Sequence, residues 1–302
     1  MYNGILLLNK EPGFTSHDAV AKLRGILRFR RIGHAGTLDP MAQGLLVMLL
    51  GKATRASEYA SGAEKEYIAD FILGVETDTQ DTTGNVLAEA PVDVTESQLR
   101  QALSSFEGGY DQVPPMYSAI QKDGVRLYDL ARKGKEVERE SRFIALPLLE
   151  LLSFDPPRGK LRVRCSKGTY IRTLCHDLGQ RLGCGGAMSA LTRVQAGDFS
   201  LEDALTLGEV EQLVKEDTLQ QHILPVDRLF ASLPAVTLTE EGAKRARNGA
   251  HAAQKHLLSG AIPPVDSLCR VYTPDGEFLM TGKGGLLDMG PPAIFCHKIF
   301  GE

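Results

Sequence analysis

The chain has 302 residues, of which 43% are hydrophobic and 24% charged, and its formal net charge is −4. These proportions are typical of globular proteins and exclude a disordered or fibrous chain, while the length suits one large core or two domains. The longest apolar runs, residues 5–8 and 45–50, are far shorter than the roughly 20 residues of a membrane helix, so no membrane association is expected.

The N-terminus and the cysteines indicate where the protein works. The segment MYNGILLLNKEPG has no basic leader and no cleavage site, so its apolar run predicts a first strand and not a signal peptide. Five cysteines without a C-x-x-C pair argue against a disulfide framework and against a zinc site. We therefore expect a cytoplasmic protein with reduced cysteines and no bound metal.

The first half of the chain mixes predicted helices and strands. Capping residues followed by apolar residues at helical spacing predict helices over residues 16–31 and 95–106. The apolar run between two glycines, residues 44–51, predicts a strand that is buried on both faces, and residues 67–73 have strand composition. Without strict alternation of strand and helix, the pattern favours an α+β fold over a doubly wound sheet.

The second half adds a strand, a helix and a separate β-rich module. LRVRCS alternates as a strand, and the apolar stripe after GTYIR predicts a helix that ends at Gly183 and has Arg172 in its first turn. A domain boundary is expected near residues 229–235. Beyond it, a basic helix and a hairpin around Asp275 and Gly276 predict a small β-rich domain over residues 233–302.

Basic residues are separated from acidic residues along the chain. Residues 22–31 contain five basic residues and residues 158–172 contain six, with no acid in either stretch. Such segregation can form a basic face on a slightly acidic protein, which suits a phosphate backbone. Each stretch taken alone is equally consistent with an ordinary solvated surface.

The motif HAGTLDP places an acid directly before a buried strand. Asp39 stands at the start of the apolar run that predicts the strand over residues 44–51. An ordinary turn explains Gly36, Thr37 and Pro40 equally well, because these residue types are common in turns. The motif alone therefore leaves a structural and a catalytic reading of Asp39 open.

Five motifs in order identify a family. NKEPGFTSHDAV, HAGTLDPMAQGLL, KEYIADFILGVETDTQDTTG, QVPPMYSAIQKDG and SKGTYIRTLCHDLG together closely resemble the TruB family of tRNA pseudouridine synthases. The resemblance covers nearly all of residues 1–230 and implies an α+β catalytic domain with a mixed, mainly antiparallel sheet of the pseudouridine synthase type. Residues 233–302 resemble the β-rich, RNA-binding PUA domain that follows in that family.

The resemblance implies isomerisation of one uridine in the T loop of tRNA, at position 55, to pseudouridine without a cofactor. Asp39 matches the essential aspartate of the family, which either attacks C1′ of the ribose or removes a ribose proton to give a glycal. Arg172 matches the cation that pairs with this carboxylate and keeps it charged. Because the target atoms are inaccessible in a folded T loop, the uridine is expected to flip out of the RNA.

The resemblance also assigns residues around the flipped base. Tyr67 matches the stacking tyrosine, which is also a candidate for relaying the C5 proton, and Tyr170 and Leu191 match residues that line the uracil site. His34 matches a histidine that fills the space left by extruded bases, although an ordinary turn histidine is an open alternative. Lys10 and Pro12 match a motif that supports the Asp39 loop.

The expected partner is tRNA, contacted at the T arm and the acceptor stem, and no obligate protein partner is evident. Residues 122–142 resemble a flap that folds over bound RNA. The cations expected to contact RNA phosphates are Arg24, Arg28, Arg30, Arg31, Lys244, Arg245 and Arg247.

Three other functions were weighed. The first is a tRNA-binding chaperone that remodels the T arm, with Asp39 retained for loop structure. The second is an RNA-guided synthase of the same superfamily, which needs surfaces for partner proteins. The third is a glycoside hydrolase, which needs a second carboxylate near Asp39, for which Asp18 is the candidate.

Overall fold

Helices and strands follow one another irregularly along the chain in the computed structural model, which describes residues 2–287 and 290–301. The α-helices in this part are α1 (Ser16–Leu27), α2 (Ser57–Gly62), α3 (Glu96–Ser104), α4 (Leu127–Ala131), α5 (Ile171–Leu182), α6 (Leu207–Lys215) and α7 (Glu240–Arg247). The strands of the first 200 residues are β1 (Gly4–Lys10), β2 (Ile32–Ala35), β3 (Gln43–Leu50), β4 (Lys65–Leu73), β5 (Val75–Thr77), β6 (Val86–Glu89), β7 (Tyr110–Gln112), β8 (Gln121–Lys122), β9 (Val125–Arg126), β10 (Arg142–Ile144), β11 (Leu148–Asp155), β12 (Arg158–Cys165), β13 (Gly186–Ala196) and β14 (Phe199–Ser200). The later strands are β15 (Ala235–Leu238), β16 (Ala252–Ala253), β17 (Leu257–Ser259), β18 (Leu268–Tyr272), β19 (Phe278–Leu286) and β20 (Pro292–Ile299).

The larger sheet is mixed and mainly antiparallel, as expected. In the described part of the chain it contains eight strands, with the order β1-β3-β13-β4-β12-β11 and with β2 and β14 attached to β3 and β13. Among its described strand pairs, β3 with β13 is parallel and the others are antiparallel. This order places β13 between β3 and β4, although β13 is far from both of them in the sequence.

Two groups of helices pack on the same face of this sheet, because the strand registers place Leu46, Leu191 and Ala69 on one side. Helices α3 and α5 pack against the face formed by β4, β12 and β13, in a core that includes Leu99, Leu174 and Phe71. Helices α1 and α6 pack on β1 and β3, in a core that includes Leu23 and Leu46. Each fully buried side chain of this size contributes about 1.5–3 kcal/mol of transfer free energy.

Helix α1 is shorter than the sequence predicts. It begins as expected, because the side chains of Thr15 and Asp18 form a capping box. It ends at Leu27, and Arg28 takes a left-handed conformation with φ of 47°. The prediction of a helix to residue 31 was therefore wrong beyond Leu27. The reason is tertiary, because Ile32 begins strand β2, which pairs with the buried strand β3.

The β-rich C-terminal part was correctly predicted. Its described strands form a six-stranded sheet in the order β16-β20-β19-β18-β15-β17, and α7 packs on it. The expected hairpin joins β18 to β19, with Gly276 at φ of 88° in the turn. The fold class of an α+β protein with a small β-rich C-terminal domain is confirmed.

The two sheets contact each other closely. The ring of Phe230 lies 5.8 Å from that of Phe278 and 5.5 Å from that of Phe300, and the hydroxyl of Tyr272 donates a hydrogen bond of 2.8 Å to Asp227. The proposed division into domains over residues 1–230 and 233–302 stays a prediction, and its end residues Met1 and Glu302 lie outside the described residues. Across the described residues no helix has the length and apolar character of a membrane span.

Candidate active site

The acidic motif forms a loop between two paired strands. Residues 36–42, which we call the Asp39 loop, connect β2 to β3, and these strands form an antiparallel pair. Two glycines let the chain turn tightly there, because Gly36 and Gly44 have φ values of 76° and 101°, which residues with a Cβ rarely adopt. The loop therefore starts and ends at fixed points of the sheet, and it holds Asp39 at the edge of the core.

Asp39 is paired with Arg172. The Nε of Arg172 donates to Asp39 Oδ2 at 2.7 Å, and one terminal nitrogen lies 3.4 Å from Oδ1. The Arg172 side chain is 5% exposed, whereas that of Asp39 is 37% exposed. The carboxylate is thus held by a buried cation and still open on one side, which is the arrangement that a reacting carboxylate requires.

Two other chain segments fix Arg172. Its remaining guanidinium nitrogens donate to the carbonyl oxygens of Thr79, at 2.9 Å, and Tyr117, at 3.0 Å. Thr79 follows β5, and Tyr117 precedes the predicted flap. The position of Arg172 in the first turn of α5 is as predicted, and the tertiary fold adds the two carbonyl partners.

The structure also brings Asp81 to Arg172, which sequence reasoning missed. Asp81 Oδ2 lies 3.8 Å from Arg172 Nε, and its side chain is 6% exposed. Its Oδ1 accepts hydrogen bonds from Thr79 and from the backbone and side chain of Thr83. The only sequence signal was the cluster of Asp and Thr in TDTQDTTG. Because Asp81 is buried and hydrogen-bonded, it differs from the open carboxylate of Asp39.

The end of β1 and the turn that follows it contact the backbone of the Asp39 loop. Lys10 Nζ donates to the carbonyl oxygen of Phe14 at 2.6 Å and lies 3.4 Å from that of Pro40, to which the Gly13 amide also donates, at 2.8 Å. Pro12 lies in the same turn, between these two donors. Lys10 and the turn that contains Pro12 are therefore in contact with the loop.

Ser16, at the start of α1, is a further support that the sequence did not reveal. Its buried hydroxyl accepts from the Leu38 amide at 2.8 Å and donates to the Leu38 carbonyl at 3.2 Å. Asp18, considered above as a second carboxylate, is instead exposed and occupied in the capping box with Thr15, whose hydrogen bonds lower the pKa of its carboxyl group.

Burial changes the chemistry of Lys10. Its side chain lies in the core, and the loss of hydration lowers its pKa from 10.5 to about 8, while the nearby negative charge of Asp39 opposes the shift. Lys65, also buried, has a pKa lowered to about 8 for the same first reason. Both amines therefore lose their proton at a pH of about 8.

Tyr67 and Leu191 lie on adjacent strands beside the Asp39 loop. Both belong to the hydrophobic cluster that contains Leu38 and Ala42 of the loop, and both are buried. Burial raises the pKa of the Tyr67 phenol, so this hydroxyl is neutral at ordinary pH. An apolar wall with a neutral phenol next to Asp39 suits a bound aromatic base.

Tyr170 is at the N-terminal end of α5, two residues before Arg172. Its amide donates to the side chain of Gln112 at 2.9 Å, and the Gln112 side chain donates back to its carbonyl oxygen at 3.0 Å. The guanidinium of Arg142 lies 5.5 Å from the centre of its ring. Gln112 is 1% exposed, and no sequence signal marked its role.

His34 lies in β2, opposite Met48 of β3, and is half-buried. Its Nδ1 is buried without a hydrogen-bond partner among the described residues. Burial and the positive charge of Arg193 lower the pKa of His34, so the ring is neutral near pH 7. His34 lies in the strand that directly precedes the Asp39 loop.

The cations in and after α1 that are predicted to contact RNA differ in their hydrogen-bond partners. Arg24, Arg28, Arg30 and Arg31 are all exposed, and the last three follow the end of α1. Arg24 donates to the carbonyl oxygen of Ile32 at 2.8 Å, and Arg31 donates to the hydroxyl of Thr54 at 3.3 Å. Ser16, which contacts the Asp39 loop, is at the other end of α1, so about 18 Å of helix separates the two.

The predicted C-terminal cations lie on α7, and the predicted flap contains two short elements. On α7, Lys244 is exposed, Arg245 has a buried Nε, and Arg247 lies 3.5 Å from Glu277. The predicted flap, residues 122–142, contains β9 and α4, and Leu127 is its buried anchor. A cavity of about 670 Å³ lies elsewhere, between the two sheets, and none of the predicted base-binding residues lines it.

Two family models match consecutive parts of the chain. The model described as TruB family pseudouridylate synthase (N terminal domain) matches residues 24–171, and the one described as tRNA pseudouridylate synthase B C-terminal domain matches residues 172–231. The chain belongs to the TruB family. The region matched by the first model includes Asp39 and Tyr67 and that matched by the second includes Arg172 and Leu191, so the candidate site draws on both regions, while β15–β20 lie beyond them.

Known TruB proteins and a related structure agree with this assignment. The chain is 52% identical over 232 residues to tRNA pseudouridine synthase B of Opitutus terrae, covering 76% of this chain and 96% of that protein. It is 40% identical over 290 residues to the protein of the same name from Syntrophotalea carbinolica, covering 95% and 91%. A chain in the structure of an H/ACA RNP bound to a substrate RNA containing 2′-deoxyuridine is 27% identical, with a TM-score of 0.75, covering 99% of this chain and 85% of that chain. The expected enzyme class, a tRNA pseudouridine synthase and hence an isomerase, is confirmed.

Proposed function

We propose that this protein converts uridine 55 in the T loop of tRNA to pseudouridine, with Asp39 as the essential residue and without a cofactor. The observation that carries the proposal is the pairing of a partly open carboxylate with the buried Arg172, next to the buried Tyr67. The reaction breaks the bond between N1 and C1′, turns the uracil, and joins C5 to C1′, and C5 then loses its proton while N1 gains one. One charged group at C1′ and a dry surface for the base are what this chemistry requires.

Each site residue has a role in this proposal. Asp39 acts at the ribose, either as a nucleophile at C1′ or as a base, and Arg172 holds its carboxylate in place. Tyr67 and Leu191 hold the flipped uracil in an apolar setting, which keeps out water that would hydrolyse the intermediate. Tyr170 borders the base, and His34 fills the gap in the T loop. Lys10 and Pro12 keep the Asp39 loop in place.

The choice of tRNA rests on the more similar relatives. Proteins named tRNA pseudouridine synthase B are 40% and 52% identical to this chain, whereas the chain from the H/ACA RNP is 27% identical. This favours a synthase that recognises tRNA directly over an RNA-guided one. The exposed cations Arg28, Arg30, Arg31 and Lys244 are proposed to contact phosphates of the T arm and the acceptor stem.

The glycoside hydrolase reading loses its support. Asp18, its candidate second carboxylate, is used in a helix cap, and Asp81 is buried under hydrogen bonds from Thr79 and Thr83. A glycosidase needs two carboxyl groups that face the same substrate bond. The chaperone reading, in which Asp39 serves loop structure alone, predicts tRNA binding without isomerisation.

Asp39→Asn is the direct test. An unmodified tRNA transcript carrying tritium at C5 of uridine is incubated with enzyme in excess, tritium release is counted, and the product position is mapped. Wild type should release tritium from one uridine, at position 55. Asp39→Asn should release none while binding tRNA as tightly as wild type, because Asn keeps the shape of Asp but provides neither a nucleophile nor a base.

Asp203→Asn is the matched control, since Asp203 is an exposed carboxylate on another segment. It should retain full turnover. Tritium release by Asp39→Asn at a rate within tenfold of wild type would remove Asp39 from the mechanism. Tight binding by wild type with no tritium release would leave the chaperone reading.

A further inference from the structure

Arg193 is a buried cation close to both groups assigned to the chemistry. It is 1% exposed and is among the largest fully buried side chains of the described residues. Among these residues no carboxylate lies within ion-pair distance of it, in contrast to Arg172, which pairs with Asp39. Burying a charge without a counter-charge is costly, so a role other than stability is the better explanation of its presence.

The guanidinium of Arg193 closes the base of the Asp39 loop. Its Nε donates to the carbonyl oxygen of Leu45 at 2.7 Å, and one terminal nitrogen donates to that of Gly36 at 2.8 Å. These two carbonyl groups lie on either side of Asp39 in the chain. A single rigid group therefore fixes the distance between the start of the loop and the strand that follows it.

The backbone packs directly on this residue. A Cβ at Gly36 would lie 3.2 Å from a terminal nitrogen of Arg193, and a Cβ at Gly44 would lie 2.4 Å from its carbonyl oxygen. Only glycine fits at Gly44, so β3 and β13 approach each other here more closely than other residues permit. The loop thus has little freedom to move relative to Arg193.

Tyr67 contacts the same cation. Arg193 in β13 is the register partner of Tyr67 in β4, and its guanidinium carbon lies 6.0 Å from the centre of the Tyr67 ring. This is within the range of a cation–π interaction. One side chain therefore contacts the loop that holds Asp39 and the ring that is proposed to stack on the uracil.

We propose that Arg193 is a positioning residue that sets the distance between Asp39 and Tyr67 by binding the Asp39 loop and the Tyr67 ring with one guanidinium. The inference rests on the proposed function for its activity readout. It also predicts a structural effect that needs no activity. Lys in place of Arg193 keeps the charge but cannot bind both carbonyl groups in the fork geometry of a guanidinium.

The test compares Arg193→Lys and Arg193→Met with wild type and with Leu238→Ala. Leu238 is fully buried in the C-terminal sheet, so this control destabilises the protein away from the loop. Three quantities are measured at a temperature where all the proteins are folded: the single-turnover rate on tRNA with saturating enzyme, the Kd for tRNA, and amide hydrogen exchange along the chain.

Arg193→Lys should slow single turnover by about tenfold and Arg193→Met by about 100-fold, since displacements of about 1 Å at a reacting group have such effects. Their Kd values should stay close to that of wild type. Amide exchange should rise in residues 36–45 and stay unchanged in the C-terminal sheet. In Leu238→Ala, amide exchange should rise in the C-terminal sheet and stay unchanged in residues 36–45. Its single-turnover rate should equal that of wild type.

Unchanged exchange of residues 36–45 in Arg193→Lys would overturn the inference, whatever the activity. A rate loss that only follows global unfolding, as judged against Leu238→Ala, would do the same. If Arg193→Met fails to fold, Arg193→Lys decides the matter. If wild type releases no tritium, the proposed function fails, and the exchange measurement still tests the role of Arg193.

Discussion

Arg172 contacts three separate parts of the chain with one guanidinium. It binds the Asp39 carboxylate and the carbonyl oxygens of Thr79 and Tyr117, and Asp81 lies 3.8 Å away. Because the group is 5% exposed, solvent screens these interactions weakly. The planar guanidinium of Arg172 therefore determines where the Asp39 carboxylate lies relative to the segments of Thr79 and Tyr117.

Arg172→Lys should lower single turnover by about 10- to 100-fold while tRNA affinity changes little, because an ammonium group cannot reproduce the Nε bond and both carbonyl bonds. Arg172→Ala should also lower the free energy of unfolding by about 3–5 kcal/mol, because it leaves the buried Asp81 carboxylate without its nearby positive charge and removes a donor from two carbonyl groups. Single-turnover kinetics and urea unfolding measure the two effects. Equal turnover in Arg172→Lys and wild type would show that the ion pair does not matter for the chemistry.

At the level of elements, the Asp39 loop is held by residues from four different segments. Lys10 at the end of β1, Ser16 at the start of α1 and Arg193 in β13 bind its backbone, and Arg172 in α5 binds the Asp39 side chain. The backbone supports are buried side chains. The loop therefore depends on the correct packing of elements that are distant in sequence.

Turnover should fall as the pH rises through about 8, because Lys10 then loses the proton that strengthens its bonds to Phe14 and Pro40. The stability change has the opposite sign. The Lys10 pKa is lower in the folded state than its ordinary value of 10.5, so between about 8 and 10.5 the unfolded state binds more protons and the free energy of unfolding rises with pH. Across this pH range the single-turnover rate should therefore fall, while the free energy of unfolding measured in urea should rise.

Lys65→Met and Lys10→Met show which of the two lysines causes the alkaline decrease in turnover. Lys65 has the same lowered pKa of about 8 but bonds to Ser61 and Ala63, outside the Asp39 loop. Lys65→Met should keep the alkaline decrease in turnover, whereas Lys10→Met should have a lower rate without that decrease. An identical decrease in Lys10→Met and wild type would assign it to another group, such as the uracil.

Across the whole molecule, two sheets share a hydrophobic cluster. Phe278 of β19 and Phe300 pack in the same cluster as Phe230 and as Ile5 and Val47 of the larger sheet, so removal of the C-terminal sheet would expose part of the core. Point substitutions on its surface are therefore a better test of RNA binding than a truncation. Lys244 on α7 is exposed and is therefore a suitable residue to substitute.

Lys244→Gln should weaken binding of full-length tRNA and reduce the slope of log affinity against log salt by up to about 0.9, the value for one phosphate contact on a duplex. A T-arm hairpin, which has no acceptor stem, should bind the variant and wild type with equal slopes. Affinities across a salt series on both RNAs provide the measurement, with turnover at saturation unchanged.

Lys215→Gln is the control, since Lys215 pairs with Glu211 in an acidic part of α6. It should leave both slopes unchanged. If Lys244→Gln alters the slope equally on hairpin and full-length tRNA, the assignment of α7 to the acceptor stem is wrong. If it alters neither, α7 does not bind phosphate in the complex.

The amino-acid sequence by itself determined the local structure and the family. Capping boxes placed the starts of α1 and α3, the apolar run placed β3, and Gly183 placed the end of α5, because these signals act within a few residues. Five motifs were enough to predict the enzyme class. The pairing of Asp39 with Arg172 followed from the resemblance to the family and not from any local pattern.

Tertiary structure alone decided which distant residues meet. The early end of α1 followed from the pairing of β2 with β3, which overrides the helical pattern beyond Leu27. Asp81, Arg193, Ser16 and Gln112 entered the site because sheet order and helix packing bring their side chains there, and the sequence around each of them does not show which distant groups it contacts. A buried charge or hydrogen bond is defined by partners far along the chain, so such residues become visible only when the elements are packed together.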